Sequence, residues 1–427
     1  MYESTAAGAV ADARLQTEAG VTLRTVTLRT VDEHLAAILD AVAPVPAREL
    51  PVLEACGAVL AETVTAPVSL PPFDNSAMDG YAVIAADVAA ASAEAPVTLP
   101  VTGDIAAGVP AVEAIEPGSC ARIMTGAPMP AGADAVVPVE WTDGGTATVR
   151  ITKPAPPGHY IRRVGEDVTA GQEVLAAGTP LGAAQIGMVA AVGRAQVTAR
   201  PRPRVVVLST GSELREPGAP LGHGEIWDSN SYMLAAAVAE AGAAGHREMT
   251  LADEPGKVIE AIEDQVTRAD AIITSGGVSK GARDVVKEVL TGRVTFTEVA
   301  MRPGKPQGFG VLGGRTPIFT LPGNPVSAYV SFQVFVRPAL RALQGLPPQP
   351  PDLVTATLAA PVASPAGLRH FMRATLSFGA GRYSVAPAEA QGSHQLAALA
   401  AANALIVVPA QVESLPEGAQ VDVMRLP

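Results

Sequence analysis

Between two proline-rich joints, Pro201-Arg202-Pro203 and Leu346-Pro347-Pro348-Gln349-Pro350-Pro351, the chain alternates strand-length apolar runs with helix-length segments, and this constrains the fold more than any other feature. Val205-Val206-Val207-Leu208 and Ala271-Ile272-Ile273 are continuously apolar, as strands covered on both faces are. Helices are expected around 231–240, 255–267, 284–290 and 325–343, and strands at 248–251, 294–299, 308–312 and 316–320. The pattern predicts a three-layer α/β domain over residues 204–346 with a mainly parallel sheet.

The rest of the chain divides around that domain. Residues 1–27, rich in Ala, Thr and Gly without periodicity, read as a flexible tail. Order is expected to begin at Thr30, which forms a capping box with Glu33 ahead of an apolar face of Val31, Leu35, Ile38, Leu39 and Val42. Short β-rich runs broken by Gly and Pro over 71–160 suggest an inserted, mostly β domain. Residues 161–203 return to longer apolar runs, with a helix-like stretch from Leu181 to Val192. They are expected to fold back on the first helix and, with 28–70, to form a discontinuous linker domain. Residues 352–427 alternate in short runs, as in a small β-barrel or β-sandwich.

Composition narrows the function. A net charge of -12 and an aromatic content of 4% disfavour a nucleic-acid binder, which needs a basic face and stacking rings. The 41 glycines and 38 prolines are spread through apolar sequence and signal tight turns. Cys56 and Cys120 fit neither a disulfide framework nor a zinc site, and the six histidines have no metal-ligand spacing. The N-terminus lacks a basic, then apolar leader, and the apolar stretch 396–408 is too short for a bilayer. A cytoplasmic protein without a membrane span is expected.

Ligands of open α/β sheets bind at the carboxyl ends of the strands. Three such ends are rich in Gly, Ser and Thr: Ser209-Thr210-Gly211-Ser212-Glu213, Thr274-Ser275-Gly276-Gly277-Val278-Ser279-Lys280-Gly281 and Leu321-Pro322-Gly323-Asn324-Pro325. Each taken singly is compatible with an ordinary strand-to-helix connection. Together on one edge they suggest backbone N–H groups gathered around phosphate. Asn324 and Pro325 suit either a helix cap and first helical residue or a preorganised ligand loop. Asp253 and Asp284, each before a helix, read as helix-terminus charges or jointly as a Mg2+ site, because magnesium takes one or two carboxylates plus substrate phosphate oxygens. The chain has only five lysines, and two of them, Lys280 and Lys305, border this edge. Lys280 is equally compatible with a solvated surface role.

These segments, together with Phe73 to Ala82, Arg122 to Pro128, Arg163 to Asp167, Pro303 to Pro306 and Gln391-Gly392-Ser393, resemble the molybdopterin molybdenumtransferase family, the bacterial MoeA proteins and the E domain of gephyrin. The resemblance implies an elongated homodimer with a molybdopterin-binding α/β domain, an inserted domain, a linker domain and a C-terminal β-barrel. It implies insertion of molybdate into adenylylated molybdopterin with Mg2+, releasing AMP, and contact with the pathway's adenylyltransferase and with molybdoenzyme-specific chaperones. Carried over by motif, Asp79 and Thr125 would come from the partner chain, and Glu213, Asp253, Asp284 and Lys305 from the α/β domain. Thr210, Gly211, Ser275, Gly276, Gly277, Ser279, Lys280, Arg302, Pro322, Gly323, Asn324 and Pro325 would contact the pterin substrate. The chain departs from the family at Glu298 and Arg302, where many relatives have lysines. Alternatives to this activity are a molybdopterin adenylyltransferase and a dimeric pterin-binding scaffold.

Overall fold

The computed structural model describes residues 28–108, 113–248, 253–277, 284–348 and 352–427. They fall into two compact units, residues 46–201 and the remainder. No helix among them is long and apolar enough to cross a membrane.

The larger unit is organised around a six-stranded sheet in the order Ala244–Arg247, Arg204–Ser209, Ala271–Ser275, Thr316–Leu321, Pro306–Leu312, Val294–Glu298. The first four strands are parallel, and the hairpin partner Pro306–Leu312 runs antiparallel between its neighbours. Alternate residues of the central strands feed two cores, which is why these runs carry no polar alternation. Val205, Val207, Ile273 and Phe319 pack with Leu234 and Val238 of helix Asn230–Glu240 and with Phe332, Phe335 and Leu340. Val206, Leu208, Ile272 and Ile318 pack with Val258 and Ile262 of helix Pro255–Val266 and with Val286 and Leu290.

The helical stretch after the third glycine-rich turn is continuous but not uniform. Helices Pro325–Ser331 and Arg337–Leu343 flank a π-helical turn at Phe332–Val336. Pro338 has no N–H to give, and the wider turn just before it lets the Arg337 N–H reach back to the Phe332 carbonyl.

Five strands close the C-terminal part into a barrel: Leu353–Leu358, Arg369–Gly379, Arg382–Pro387, Ala404–Val408 and Gln420–Arg425. The 11-residue strand Arg369–Gly379 permits closure, pairing with Ala404–Val408 through its first half and with Arg382–Pro387 through its second. Met301–Arg302 adds a short parallel strand at its start.

In the smaller unit a five-stranded sheet centred on Gly80–Val83 and Cys120–Ile123 encloses a core of Tyr81, Val83, Val137, Val149 and Ile151. A second core joins Leu50, Leu60 and Val64 to Leu181, Val189 and Val197, which brings chain from both sides of the inserted sheet together.

Two sequence expectations need correction. Helix Val31–Ala41 has the predicted Thr30–Glu33 capping box. However, its buried residues Val31 and Ile38 pack with Phe335 and Leu343 of the larger unit, not with residues 161–203. An amphipathic pattern says that a face is buried and leaves open against what. The strand expected at 248–251 is Ala244–Arg247, paired in parallel with Arg204–Val207. Its sequence, Ala-Gly-His-Arg, has no β-branched residue, so pairing and not propensity creates it. Beyond Glu248 the expected strand lies outside the described residues, as do the expected tail 1–27 and the site candidates Ser279 and Lys280.

Candidate active site

Sheet register sets the site. Ser209 pairs with Ser275, and Ser275 with Leu321, so the three glycine-rich turns leave the sheet side by side. Backbone bonds knit their first residues: the Thr210 N–H donates to the Ser275 carbonyl at 3.3 Å, and the Gly276 N–H to the Leu321 carbonyl at 3.1 Å. Gly276 takes φ +97°, and a Cβ there would stand 2.9 Å from the Thr210 carbonyl oxygen. Glycine is therefore what lets the first and second turns approach so closely.

A cavity of about 820 Å3 opens over these turns, within the usual range for small-molecule sites. Of the residues singled out in the sequence, Thr210, Gly211, Ser275, Gly276, Gly277, Pro322, Gly323, Asn324 and Pro325 line it. Asn324 stands at the cap position and Pro325 is the first helical residue, but the Asn324 side chain makes no capping hydrogen bond. The loop thus leaves that side chain exposed at the cavity.

Glu213, Asp253 and Asp284 share this lining with a fourth carboxylate, Asp228. Asp253 accepts the Ser212 N–H at 3.1 Å, and its own N–H donates to Ser212 Oγ at 3.4 Å, clasping two loops. Asp284 precedes helix Val285–Leu290 and makes no capping bond to it. No cluster of three or more metal-ligating side chains exists among the described residues.

Lys305 and Arg302 do not line the cavity, although Pro306 does. The antiparallel register sets Glu298 against Pro306, and Glu298 Oε2 meets Lys305 Nζ at 3.1 Å. The reversed charge noted in the sequence is therefore engaged with the lysine beside the site. Arg302 is exposed at the edge of the barrel, where it pairs with His370.

Asp79 and Thr125 belong to the smaller unit and bond to each other. Asp79 Oδ1 accepts the Thr125 N–H at 2.7 Å and its hydroxyl at 2.8 Å. These donors, the backbone N–H foremost, hold the Asp79 carboxyl below its ordinary range. In the same unit Arg163 Nη1 and the Val164 N–H both donate to Asp74, at 2.6 and 2.8 Å, which joins two of the polar segments that carry the resemblance.

Several site residues were not singled out in the sequence. Asn230 Nδ2 donates to Ser275 Oγ at 2.8 Å and to the Gly323 carbonyl at 2.7 Å, bracing the second turn against the third. Its Oδ1 is buried without a partner among the described residues, as is Thr210 Oγ1, and both residues line the cavity. Asp228, 1% exposed, accepts Ser209 Oγ at 3.2 Å and Ser231 Oγ at 2.6 Å, fixing the first strand end to the next helix. His394 enters from the loop after Gln391-Gly392-Ser393, whose Ser393 carbonyl accepts the Val326 N–H at 3.1 Å. The run Asp228-Ser229-Asn230-Ser231 at a helix start was the available signal.

Three family models tile the chain: "MoeA N-terminal region (domain I and II)" over 29–193, "Probable molybdopterin binding domain" over 206–342, and "MoeA C-terminal region (domain IV)" over 355–426. Molybdopterin molybdenumtransferase 2 of Mycobacterium tuberculosis is 47% identical over 407 residues, covering 93% of this chain and all of the relative. The chain belongs to the MoeA family. Another relative, the molybdopterin molybdenumtransferase of a Nostoc species, is 38% identical over 87% of both chains. Crystal structures of MoeA proteins from Pyrococcus horikoshii superpose with TM-scores of 0.75 and 0.72 at 32% and 29% identity, each covering 93% of this chain. Within this MoeA chain, all the cavity residues except His394 and Leu396 fall in the segment matched by the molybdopterin-binding model. Asp79 and Thr125 fall in the N-terminal match.

Proposed function

We propose that the chain is a molybdopterin molybdenumtransferase of molybdenum cofactor biosynthesis, inserting molybdate into adenylylated molybdopterin and releasing AMP. One observation carries this reading: three glycine-rich turns and four carboxylates surround a single cavity in the segment that matches a molybdopterin-binding model. The substrate joins two phosphates to a pterin and a nucleoside. Turn N–H groups would hold its pyrophosphate, Asn230 and Thr210 would offer their unpartnered oxygens to donors on it, and the proline-bounded third turn would keep the loops from yielding.

The donor set fits Mg2+, which keeps several waters and completes its shell with one or two carboxylates and substrate phosphates. Asp253 and Asp284 would hold it. Bound there, the ion would offset charge as the phosphoanhydride is cleaved. Glu213, beside Gly211, would orient loop or substrate donors. In the homodimer that the resemblance implies, Asp79 and Thr125 would serve from the second chain, and the pathway's adenylyltransferase would supply the substrate.

Purified protein given adenylylated molybdopterin, Mg2+ and molybdate is expected to release AMP in proportion to molybdenum incorporated. Absence of AMP release sinks the reading, and ATP consumption without molybdate would favour an adenylyltransferase instead.

The ion pair at the site edge supports a second prediction. If Lys305 meets molybdate, Glu298 competes for its charge. Such a half-exposed pair is worth up to about 1 kcal/mol. Glu298→Gln is therefore expected to lower the KM for molybdate roughly two- to fivefold with kcat unchanged. An unchanged KM would place Lys305 outside oxyanion binding.

A further inference from the structure

Trp227 and Ile226 stand 51% and 55% exposed, two large apolar side chains in succession, on the lining of a cavity whose floor is polar. They contribute to no apolar core of the larger unit. The segment is nevertheless held firmly. Trp227 Nε1 donates to the Ala219 carbonyl at 2.8 Å, fixing the ring. The Ile226 N–H donates to the Glu213 carbonyl at 2.9 Å, and the Asp228 N–H to the Arg215 carbonyl at 2.8 Å. An Arg215–Glu225 ion pair and a Gly222 N–H bond to Glu225 at 2.7 Å brace the same excursion.

A ring held in place by its own N–H but left half bare is not stabilising a core. It presents a flat apolar face, already ordered, beside turns suited to phosphate. An aromatic platform adjoining an anion site suits a ligand that carries both a planar ring and phosphates.

We propose that Trp227 is the stacking surface for a planar nitrogen heterocycle of the substrate, its adenine or its pterin, with Ile226 and Leu214 extending the apolar shelf. The inference rests on the function proposed above and adds the residue that selects for the ring. Loss of the indole removes a face that every bound substrate covers, so Trp227→Ala is expected to raise the KM for adenylylated molybdopterin roughly tenfold or more, with kcat little changed. Trp227→Phe keeps a ring and is expected to retain most of the affinity.

The chain has two tryptophans, so Trp141→Phe leaves Trp227 as the sole indole emitter. Titration of that full-length variant with AMP, and separately with an oxidised pterin, exciting at the red edge of indole absorption, is expected to give saturable quenching. Quenching by AMP assigns the adenine to the shelf, and quenching by the pterin assigns the pterin. Unquenched emission with both, in protein that still releases AMP from adenylylated molybdopterin, overturns the stacking role and leaves the proposed function standing. Unchanged KM in Trp227→Ala overturns it equally. Failure of AMP release in the parent protein instead rejects the function itself.

Discussion

Replacing Asp284 by Asn is expected to cut AMP release about 100- to 1,000-fold while the protein stays folded. The substitution keeps the size of the side chain and removes its charge. Asp284 makes no capping bond to helix Val285–Leu290, so no side-chain cap is lost with the charge. What is lost is one of the four carboxylates on the cavity wall. With Asp253 and Asp284 holding a divalent ion, the charge stabilisation it would supply is worth several kcal/mol, and a loss of about 3–4 kcal/mol corresponds to the stated factor. Asp253→Asn should act similarly and also retain the clasp, because an amide oxygen can still accept the Ser212 N–H. The check is kcat measured over a Mg2+ series, with circular dichroism and thermal melting to verify the fold. Wild-type turnover in Asp284→Asn would remove this residue from the chemistry.

Much of this site could be read before the fold was known, for a definite reason. Continuous β-branched runs identify strands covered on both faces, and glycine-rich segments immediately after them identify where those strands end. Ser209, Ser275 and Leu321 were therefore placed at one edge by pattern alone, and their register makes them neighbours. Pattern was silent wherever a partner is chosen by tertiary structure. Asn230 reads as a polar residue at a helix start, and its bonds to Ser275 and Gly323 exist only because the helix begins over the second and third turns. Helix Val31–Ala41 announces a buried face and not its destination. Glu298 and Lys305 are seven positions apart and meet because Glu298 pairs across the sheet with Pro306. Trp227 was invisible for the opposite reason, since an isolated aromatic reads as core until its exposure is known.

Acid should destabilise the larger unit well above the range in which carboxylates titrate. His34 and His370 are 2% and 4% exposed, and their Nδ1 atoms have no partners among the described residues. His34 meets Phe335 edge-on at 4.8 Å, with Arg29 nearby and Asp32 of the same helix paired with Arg369 of the barrel. His370 lies near Arg302 and Arg373. Burial first, and these cations second, push both imidazoles down from 6.5 to about 4. The unfolded chain therefore binds the two protons more tightly than the folded one. Stability is complete above the unfolded value, falls as pH drops from about 6.5 toward 4, and levels off below that. By pH 5 each histidine should cost about 2 kcal/mol, together a large share of a typical domain's stability. Because ordinary carboxylates titrate near 4, the fall between pH 7 and 5 isolates the histidines. Urea midpoints should drop steeply across that interval in the wild type and far less in a His34→Gln/His370→Gln variant. Should that variant fail to fold, an NMR titration of the wild type decides the matter: both imidazoles are expected to remain neutral to about pH 4, and titration near 6.5 in the folded protein would refute the mechanism.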